Sequence, residues 1–372
     1  MDLEEIRRGI DGVDRRLIAL LAERKALVEQ VSTVKKEQGQ PIYVPEREAA
    51  LLAGRRLEAQ EAGLSPDLVE DLLRRIMRES YRAEGRGGFR SARSGAGKVV
   101  IVGGAGGMGR LFGQAFADSG YQVVVLERQD WPQARQLLQD AHLVLVSVPI
   151  DATVQVLGEL RGLVPAEAVL ADLTSLKREP VAAMMEIHQG PVLGLHPMFG
   201  PTTGVMAKQV IAYCAARFPA ESSWVREQFQ VWGARLRPVE PTVHDELMVF
   251  IQAMRHLATF VYGVHLADEA PDLREVLAFS SPIYRMELAM VGRLFAQSPG
   301  LYGEIIFSSP GIVRQARGYL QRFQQALSWV EQGDKAAFHQ AFAEVTAWFG
   351  ELGQQFLRES TFTIEKAHDH VV

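Results

Sequence analysis

VVIVGGAGGMGRLFGQAFADSGYQVVVLER, residues 99 to 128, reads as a strand, a glycine turn, a helix and a second strand. Val99 to Val102 form a β-branched run with no helical period, the pattern of a strand buried on both faces of a parallel sheet. Gly104, Gly106 and Gly109 then fit the spacing GxGxxG, with Met108 inside the motif. In that spacing the first glycine permits a tight turn, the second lets backbone approach a pyrophosphate, and the third lets helix and strand pack closely. The following helix, ending near Gly120, turns its free N–H groups and positive dipole end toward the anion. A second apolar strand, Val123 to Leu126, delivers Glu127 where a ribose-binding carboxylate belongs. Such a carboxylate accepts from the 2′- and 3′-hydroxyls of NAD and repels the 2′-phosphate of NADP, a preference softened by Arg128 beside it. Glycine-rich turns also arise for structural reasons alone, but strand, helix and acid in this order point to a dinucleotide, and the expected cofactor is NAD.

With 372 residues, 47% of them hydrophobic, the chain is long enough for two or three domains with their own cores. A formal charge of −5 gives no electrostatic case for nucleic acid or an anionic membrane as partner. The lone Cys214 excludes an intrachain disulfide. No apolar run reaches the ~18 residues of a membrane span or forms a signal peptide, so a cytoplasmic protein is expected.

From Leu3 to about Glu37, Ile6, Ile10, Val13, Leu17, Leu20, Leu21, Val28 and Val31 recur at helical spacing without a proline. Arg24 and Lys35 share the stripe of Val28 and Val31, so they either snorkel outward or line a pocket for an anionic ligand. Pro45 to Ala62, with Arg47 and Glu48 in its first turn, predicts a shorter helix stopped by Gly63. Ser65 and Pro66 open a third, whose stripe of Val69, Leu72, Leu73 and Ile76 continues to Ser80 and Glu84. Three such helices enclose little core, which predicts pairing with a second copy. Gly85 to Gly97 is rich in Gly, Ser, Ala and Arg, with Phe89 alone large and apolar; it reads as a solvated linker.

Beyond Glu127, apolar runs at Leu143–Val148, Val169–Ala171, Val192–Leu195 and Val210–Tyr213 alternate with helical segments, predicting a doubly wound sheet. Ser147 ends one run, where ligands collect in such sheets, and is either a residue of the nicotinamide side or a turn serine. His196, in GLHPMFGP, stands at another strand end, where exposure would let it work as a base; a lone histidine is more often structural or merely solvated. From Val243 onward, apolar residues including Phe250, Met254, Leu257, Val291, Leu294, Phe323, Phe342 and Phe349 recur at helical spacing, predicting a helical domain whose aromatic stripes are core and dimer interface. His368, Asp369 and His370 resemble a metal tract only superficially.

The run from Ile6 through Arg47 and Glu48 to Ser80 resembles the all-helical chorismate mutases, and IYVPERE with RRIMRESY resembles the type fused to prephenate dehydrogenase. HPMFGP and SSPIYRMELAMVGRLFAQ resemble the dehydrogenase half, so the likeness runs over nearly the whole chain. It implies an all-α chorismate mutase domain at residues 1–90, an α/β doubly wound Rossmann NAD domain at 98–242 and an all-α substrate and dimerisation domain at 243–372. In the mutase half it makes Arg7, contributed across a homodimer, and Arg24 and Arg47 clamps for carboxylates. Lys35 and Glu84 would face the ether oxygen, Glu48 would bind the ring hydroxyl and Ser80 would assist a carboxylate. Many of these mutases carry Gln at the Glu84 position, and a carboxylate donates to the ether oxygen only when protonated, so mutase activity is expected to fall as Glu84 ionises. In the dehydrogenase half His196 would accept from the substrate hydroxyl, Ser147 would orient it, and Arg293 would hold the ring carboxylate; Arg293 otherwise reads as a surface helix residue paired with an acid. Lys177, Arg285, His256, Gln252 and Tyr302 match positions near that active site, with Gln252 and His256 four apart on one helical face; His256 reads equally as a core histidine. The resemblance further implies chorismate and prephenate as substrates and tyrosine as an inhibitor. The alternatives are an arogenate dehydrogenase, and a dehydrogenase whose helical N-terminal domain only dimerises or regulates.

Overall fold

A computed structural model describes residues 2–368, with side chains through 365, so the run His368, Asp369 and His370 lies outside the described side chains. The chain divides into two compact units, Met1–Thr242 and Val243–Val372.

The first unit opens with three helices: α1 (Leu3–Gln38), α2 (Pro45–Glu61) and α3 (Pro66–Arg86). Gly39, at φ 67°, ends α1 by returning its N–H to the Lys35 and Lys36 carbonyls, and the Ser65 hydroxyl caps α3 by accepting from the Leu68 N–H. α1 buries none of its residues: Ile6, Ile10, Val13, Leu17 and Leu20 are all exposed, because α2 and α3 pack mainly on one another.

The linker is not the solvated tether the composition suggests. The Phe89 N–H donates to the Asp118 carbonyl, the Ala92 N–H to Gln228 Oε1, and Gln228 Nε2 to the Arg90 carbonyl. Phe89 itself packs on Trp232, with ring centroids 6.4 Å apart. One large apolar residue anchors the strap, and its backbone amides find protein partners instead of water.

The sheet contains β1 (Lys98–Val102), β2 (Gln122–Leu126), β3 (Ala141–Val146), β4 (Val169–Asp172), β5 (Val192–Pro197), β6 (Val210–Arg217) and β7 (Arg235–Pro238), in the order β2-β1-β3-β4-β5-β6-β7. Helices α4 (Gly107–Asp118), α5 (Ala134–Leu138), α6 (Ile150–Glu159), α7 (Arg178–Ile187) and α8 (Ser223–Val231) alternate with the strands. Val99 and Ile101 join one buried cluster with Phe112, Phe116 and Phe229, while Val100 and Val102 join another with Leu138, Leu157 and Met184. Alternate residues of one strand thus feed two cores, as in a sheet covered on both faces. β1 to β5 are parallel, but β6 runs antiparallel to β5. The cause is the connection: residues 198–209 hold only a single 3-10 turn, Pro201–Thr203, and without a crossover helix the next strand returns antiparallel. Val210–Tyr213 is therefore not a further strand of a uniformly parallel sheet.

The second unit is helical: α9 (Pro241–Met248), a π-helical stretch Val249–Met254, α10 (Arg255–Glu269), α11 (Leu273–Ala278), α12 (Pro282–Phe295), α13 (Pro299–Phe307), α14 (Ile312–Gln332), α15 (Lys335–Phe349) and α16 (Glu351–His368). Val249, Ala253, Val291, Leu294 and Ile312 are buried, whereas Phe250, Phe323, Leu327, Phe338 and Phe342 are exposed. The aromatic stripes expected as core are thus largely surface in a single chain. Pro241–Glu269 is long and apolar enough to cross a membrane by length and composition, although Asp245, Glu246 and Arg255 interrupt its apolar sequence.

Candidate active sites

The helical hairpin of α2 and α3, with the C-terminal half of α1, gathers the charged residues singled out in the sequence. Lys35 Nζ donates to Glu84 Oε2 and to the Ile42 carbonyl, each at 2.9 Å. Arg24 donates to Ser80 Oγ at 2.8 Å, and Ser80 donates to the Ile76 carbonyl one turn back. Arg24 and Lys35 therefore reach polar groups of α3 rather than snorkelling away. Glu48, 8% exposed, accepts from Tyr81 at 2.6 Å on Oε2 and from Lys208 at 2.5 Å and Arg74 at 3.4 Å on Oε1. Burial, the bond to Glu48 and that carboxylate's charge hold the Tyr81 phenol well above the ordinary tyrosine range, so Tyr81 is a donor here. Burial and Glu48 likewise raise Tyr43, which meets Tyr81 edge to face.

Arg47 is exposed beside Glu48 in the first turn of α2. Arg7, also exposed, pairs with Glu4 and lies 28 residues before Lys35, about 42 Å along α1, so one chain does not bring the two together. Sequence reasoning missed Tyr43, Arg74, Tyr81 and Lys208. The first three lie inside the quoted motifs; Lys208, 160 residues from Glu48, carries no local signal.

At the glycine turn, the residue in the left-handed region is Gly103, at φ 78°, and not Gly104. A Cβ on Gly103 would stand 2.6 Å from the Ser147 carbonyl oxygen. Gly104 instead makes room for Val125, whose methyl groups would lie 2.8 and 2.9 Å from a Cβ. Gly106 is exposed just before α4, and Gly109 is buried where a Cβ would meet Gly104 Cα at 2.6 Å. Met108 is half-buried against the core. Glu127 Oε1 accepts from the Ala105 N–H at 2.7 Å, which ties the acid at the end of β2 to the turn. The chain leaves β1 toward β2 and returns across it to β3, so the turn and Ser147 flank the switch point where open α/β sheets bind ligands. The open backbone at Gly106, the N-terminus of α4 and the adjacent carboxylate fit NAD.

Ser147 is half-buried after β3, and its N–H donates to the Val102 carbonyl at 2.8 Å. His196 ends β5 with 2% exposure, so it is buried where an exposed base was expected. β4 lies between the strands bearing these residues, placing their backbones, though not their side-chain tips, about 10 Å apart across the sheet. Lys177, fully buried, is ion-paired with Asp172 and donates to the Leu195 carbonyl at 2.7 Å, one residue before His196. In this arrangement its ammonium braces the ends of β4 and β5.

In the second unit, Gln252 lies in the π-helical stretch and His256 in the first turn of α10, so the regular four-residue helical spacing between them is interrupted. His256 packs edge to face on Tyr302 at 4.7 Å, and burial, with Arg255 adjacent, pushes its pKa down to about 4. Arg285 and Arg293 are exposed on α12, and neither forms an ion pair among the described residues.

Residues 6–85 match the family chorismate mutase type II, residues 122–217 the nucleotide-binding domain of prephenate dehydrogenase, and residues 240–344 its dimerization domain. A T-protein of Enterobacter agglomerans is 52% identical over 368 residues, covering 99% of this chain and 98% of the relative. A T-protein of Haemophilus influenzae is 48% identical over 367 residues, covering 99% and 97%. The crystal structure of prephenate dehydrogenase from A. aeolicus in complex with hydroxyphenyl propionate and NAD+ shares the fold at a TM-score of 0.53 and 14% identity, covering 68% of this chain and 98% of that one. Fold and matches together define a two-headed enzyme, an all-helical chorismate mutase joined to an NAD-dependent prephenate dehydrogenase. The chain belongs to the T-protein family of tyrosine biosynthesis.

Proposed function

We propose that this chain rearranges chorismate to prephenate in its helical N-terminal domain and oxidatively decarboxylates prephenate to 4-hydroxyphenylpyruvate in the remainder, with domain limits at 1–90, 98–242 and 243–372. The observation that carries the reading is the convergence of Lys35, Glu84, Arg24, Ser80 and Glu48 from three helices in a domain matching chorismate mutase type II. The rearrangement breaks a C–O bond as a C–C bond forms and needs no nucleophile. Its requirements are a folded conformer and stabilisation of charge on the ether oxygen. Arg24 and Arg47, with Arg7 from a second copy, hold the two carboxylates, and Ser80 supports one of them. Lys35 faces the ether oxygen, beside Glu84, which accepts from Lys35 and donates to that oxygen only in its protonated form, and Glu48 accepts from the ring hydroxyl. The exposed stripe on α1 and the distance of Arg7 from Lys35 support a homodimer.

In the dehydrogenase half Gly104, Gly106, Gly109 and Met108 shape the turn for a pyrophosphate, and Glu127 takes the ribose hydroxyls. NAD, when bound, supplies the hydride acceptor. Neutral His196 accepts from the hydroxyl on the ring carbon that loses hydride, takes its proton as the carbonyl forms, and is oriented by Ser147. Loss of the ring carboxylate as CO2 then sends its bonding pair through the ring to that carbonyl oxygen, which takes the proton back from His196, and the ring becomes aromatic. Arg293 holds that carboxylate, with Arg285, Gln252, His256 and Tyr302 beside the substrate. Lys177 contributes by bracing the strand that carries His196. Tyrosine acts as the inhibitor, and the cytoplasm is the compartment, a reading supported by the lone, buried Cys214.

The test follows chorismate loss and NADH appearance together in the purified protein, with and without NAD. Chorismate consumed in both cases, with NADH only when NAD is present, is the expected result. NADH from added prephenate without chorismate loss would reduce the helical domain to a silent or regulatory module.

A further inference from the structure

Lys208 belongs to the NAD-binding half, in the connection between β5 and β6, yet its ammonium bonds a carboxylate of the mutase cluster. Its backbone sits in the left-handed region at φ 68°, which L-residues adopt at a cost and glycine would adopt freely. The Lys208 N–H is fastened to the Gly233 carbonyl at 2.9 Å, so the loop holds this conformation. From there the side chain runs to Glu48 with its ammonium 5.2 Å from the Tyr43 ring centroid and 5.5 Å from that of Tyr81. The pair is asymmetric in burial, with side-chain exposures of 35% for Lys208 and 7% for Glu48.

A carboxylate offers about four acceptor positions, two on each oxygen. Lys208 and Arg74 take both on Oε1, and Tyr81 takes one on Oε2. One position on Oε2 is left for a hydroxyl donor. We propose that Lys208 is a positioning residue of the mutase site, supplied by the dehydrogenase half, which acts through Glu48 by fixing the carboxylate so that a single oxygen meets the ring hydroxyl of chorismate. This rests on the role given to Glu48 above. A mere tether between the halves would add stability and leave the selectivity of Glu48 untouched.

The experiment uses the full chain with Lys208→Ala, Lys208→Met, which keeps the stem, Lys208→Arg, Glu48→Gln and the double variant Lys208→Ala/Glu48→Gln. Lys208→Ala and Lys208→Met should lower mutase kcat/KM by about 10- to 100-fold, chiefly through KM, as expected for a charge-assisted bond that orients substrate in ground and transition states alike. Lys208→Arg should recover most of the loss. The double variant should lose little beyond Glu48→Gln alone, since one residue works through the other. NADH formation from prephenate should stay near the wild-type rate in all Lys208 variants. Lys208→Met with unchanged mutase KM, or a double variant whose loss is the product of the single losses, would overturn the proposal. Wild-type protein that rearranges no chorismate would instead overturn the functional reading, and the proposal with it.

Discussion

Replacing Gly109 with alanine tests the dinucleotide turn directly. The added Cβ would stand 2.6 Å from Gly104 Cα, 2.7 Å from the Gly103 carbonyl oxygen and 2.8 Å from that of Gly104, against about 3.4 Å for ordinary contact. All three neighbours are backbone, so no side chain can rotate away. α4 must retreat from β1 by about 0.8 Å, the difference between 3.4 and 2.6 Å, and overpacking of this kind costs about 1–3 kcal/mol. For a unit of this size each kcal/mol lowers Tm by about 2–4 °C. The retreat also carries the amides at the N-terminus of α4 away from the pyrophosphate, so KM for NAD should rise about tenfold or more. NADH formation from prephenate at varied NAD reads the affinity, a thermal melt reads the stability, and chorismate consumption in the same preparation reports on the helical domain, which should keep its activity. Gly158→Ala in α6 is the control: nothing beyond its own stretch of helix lies within 4 Å of its Cβ, so it should leave KM for NAD unchanged and stabilise the protein by up to about 1 kcal/mol. Gly109→Ala protein with wild-type Tm and wild-type KM for NAD would refute the close-packing argument.

Three further outcomes are expected. His196→Asn should abolish NADH formation while leaving the dissociation constant for NAD, measured calorimetrically, and the mutase rate unchanged; an active variant would remove His196 from the chemistry. Lys177→Met should destabilise the protein by about 3–5 kcal/mol in urea unfolding because it strands Asp172 in the core, and Lys177→Met/Asp172→Asn should recover much of that loss. His256 titrates near 4 when folded against about 6.5 when unfolded, so its contribution to stability is complete above pH 6.5 and is lost as pH falls toward 4. Between pH 7 and 5 the wild type should lose about 1 kcal/mol more than His256→Gln in urea unfolding, the full linkage being halved for the solvent that screens a half-buried ring, and equal losses would show that burial does not hold this ring neutral.

Features encoded within one turn of chain were the legible ones. The glycine spacing, the Ser65–Pro66 start of α3 and the stop at Gly39 each depend on neighbours a few residues away. Motif spacing alone was a less sharp guide inside the turn: it assigned the tight bend to Gly104, while the left-handed residue is Gly103, one position earlier, pressed against Ser147. The direction of β6 depended on what the preceding segment failed to form, a crossover helix, and apolar runs carry no arrow. Linker composition suggested solvent, but a single Phe89 in contact with Trp232 was enough to fasten it. Periodicity marked the apolar faces of α1 and α14 correctly as faces, yet a period does not say what covers a face, and in one chain much of each is exposed. Lys208 was illegible for the plainest reason, since the residue it meets is 160 positions away.

Fused enzymes are often pictured as beads on a string, each removable by cutting the thread. Here the thread is pinned to one bead by Phe89 and Ala92, and a side chain from that bead reaches into the other at Glu48. A gene split at the linker would return a helical half missing one wall of its own carboxylate and a second half presenting an unmatched lysine on a strained loop. Cutting the reading frame there would therefore also cut a bond between side chains, that of Lys208 to Glu48.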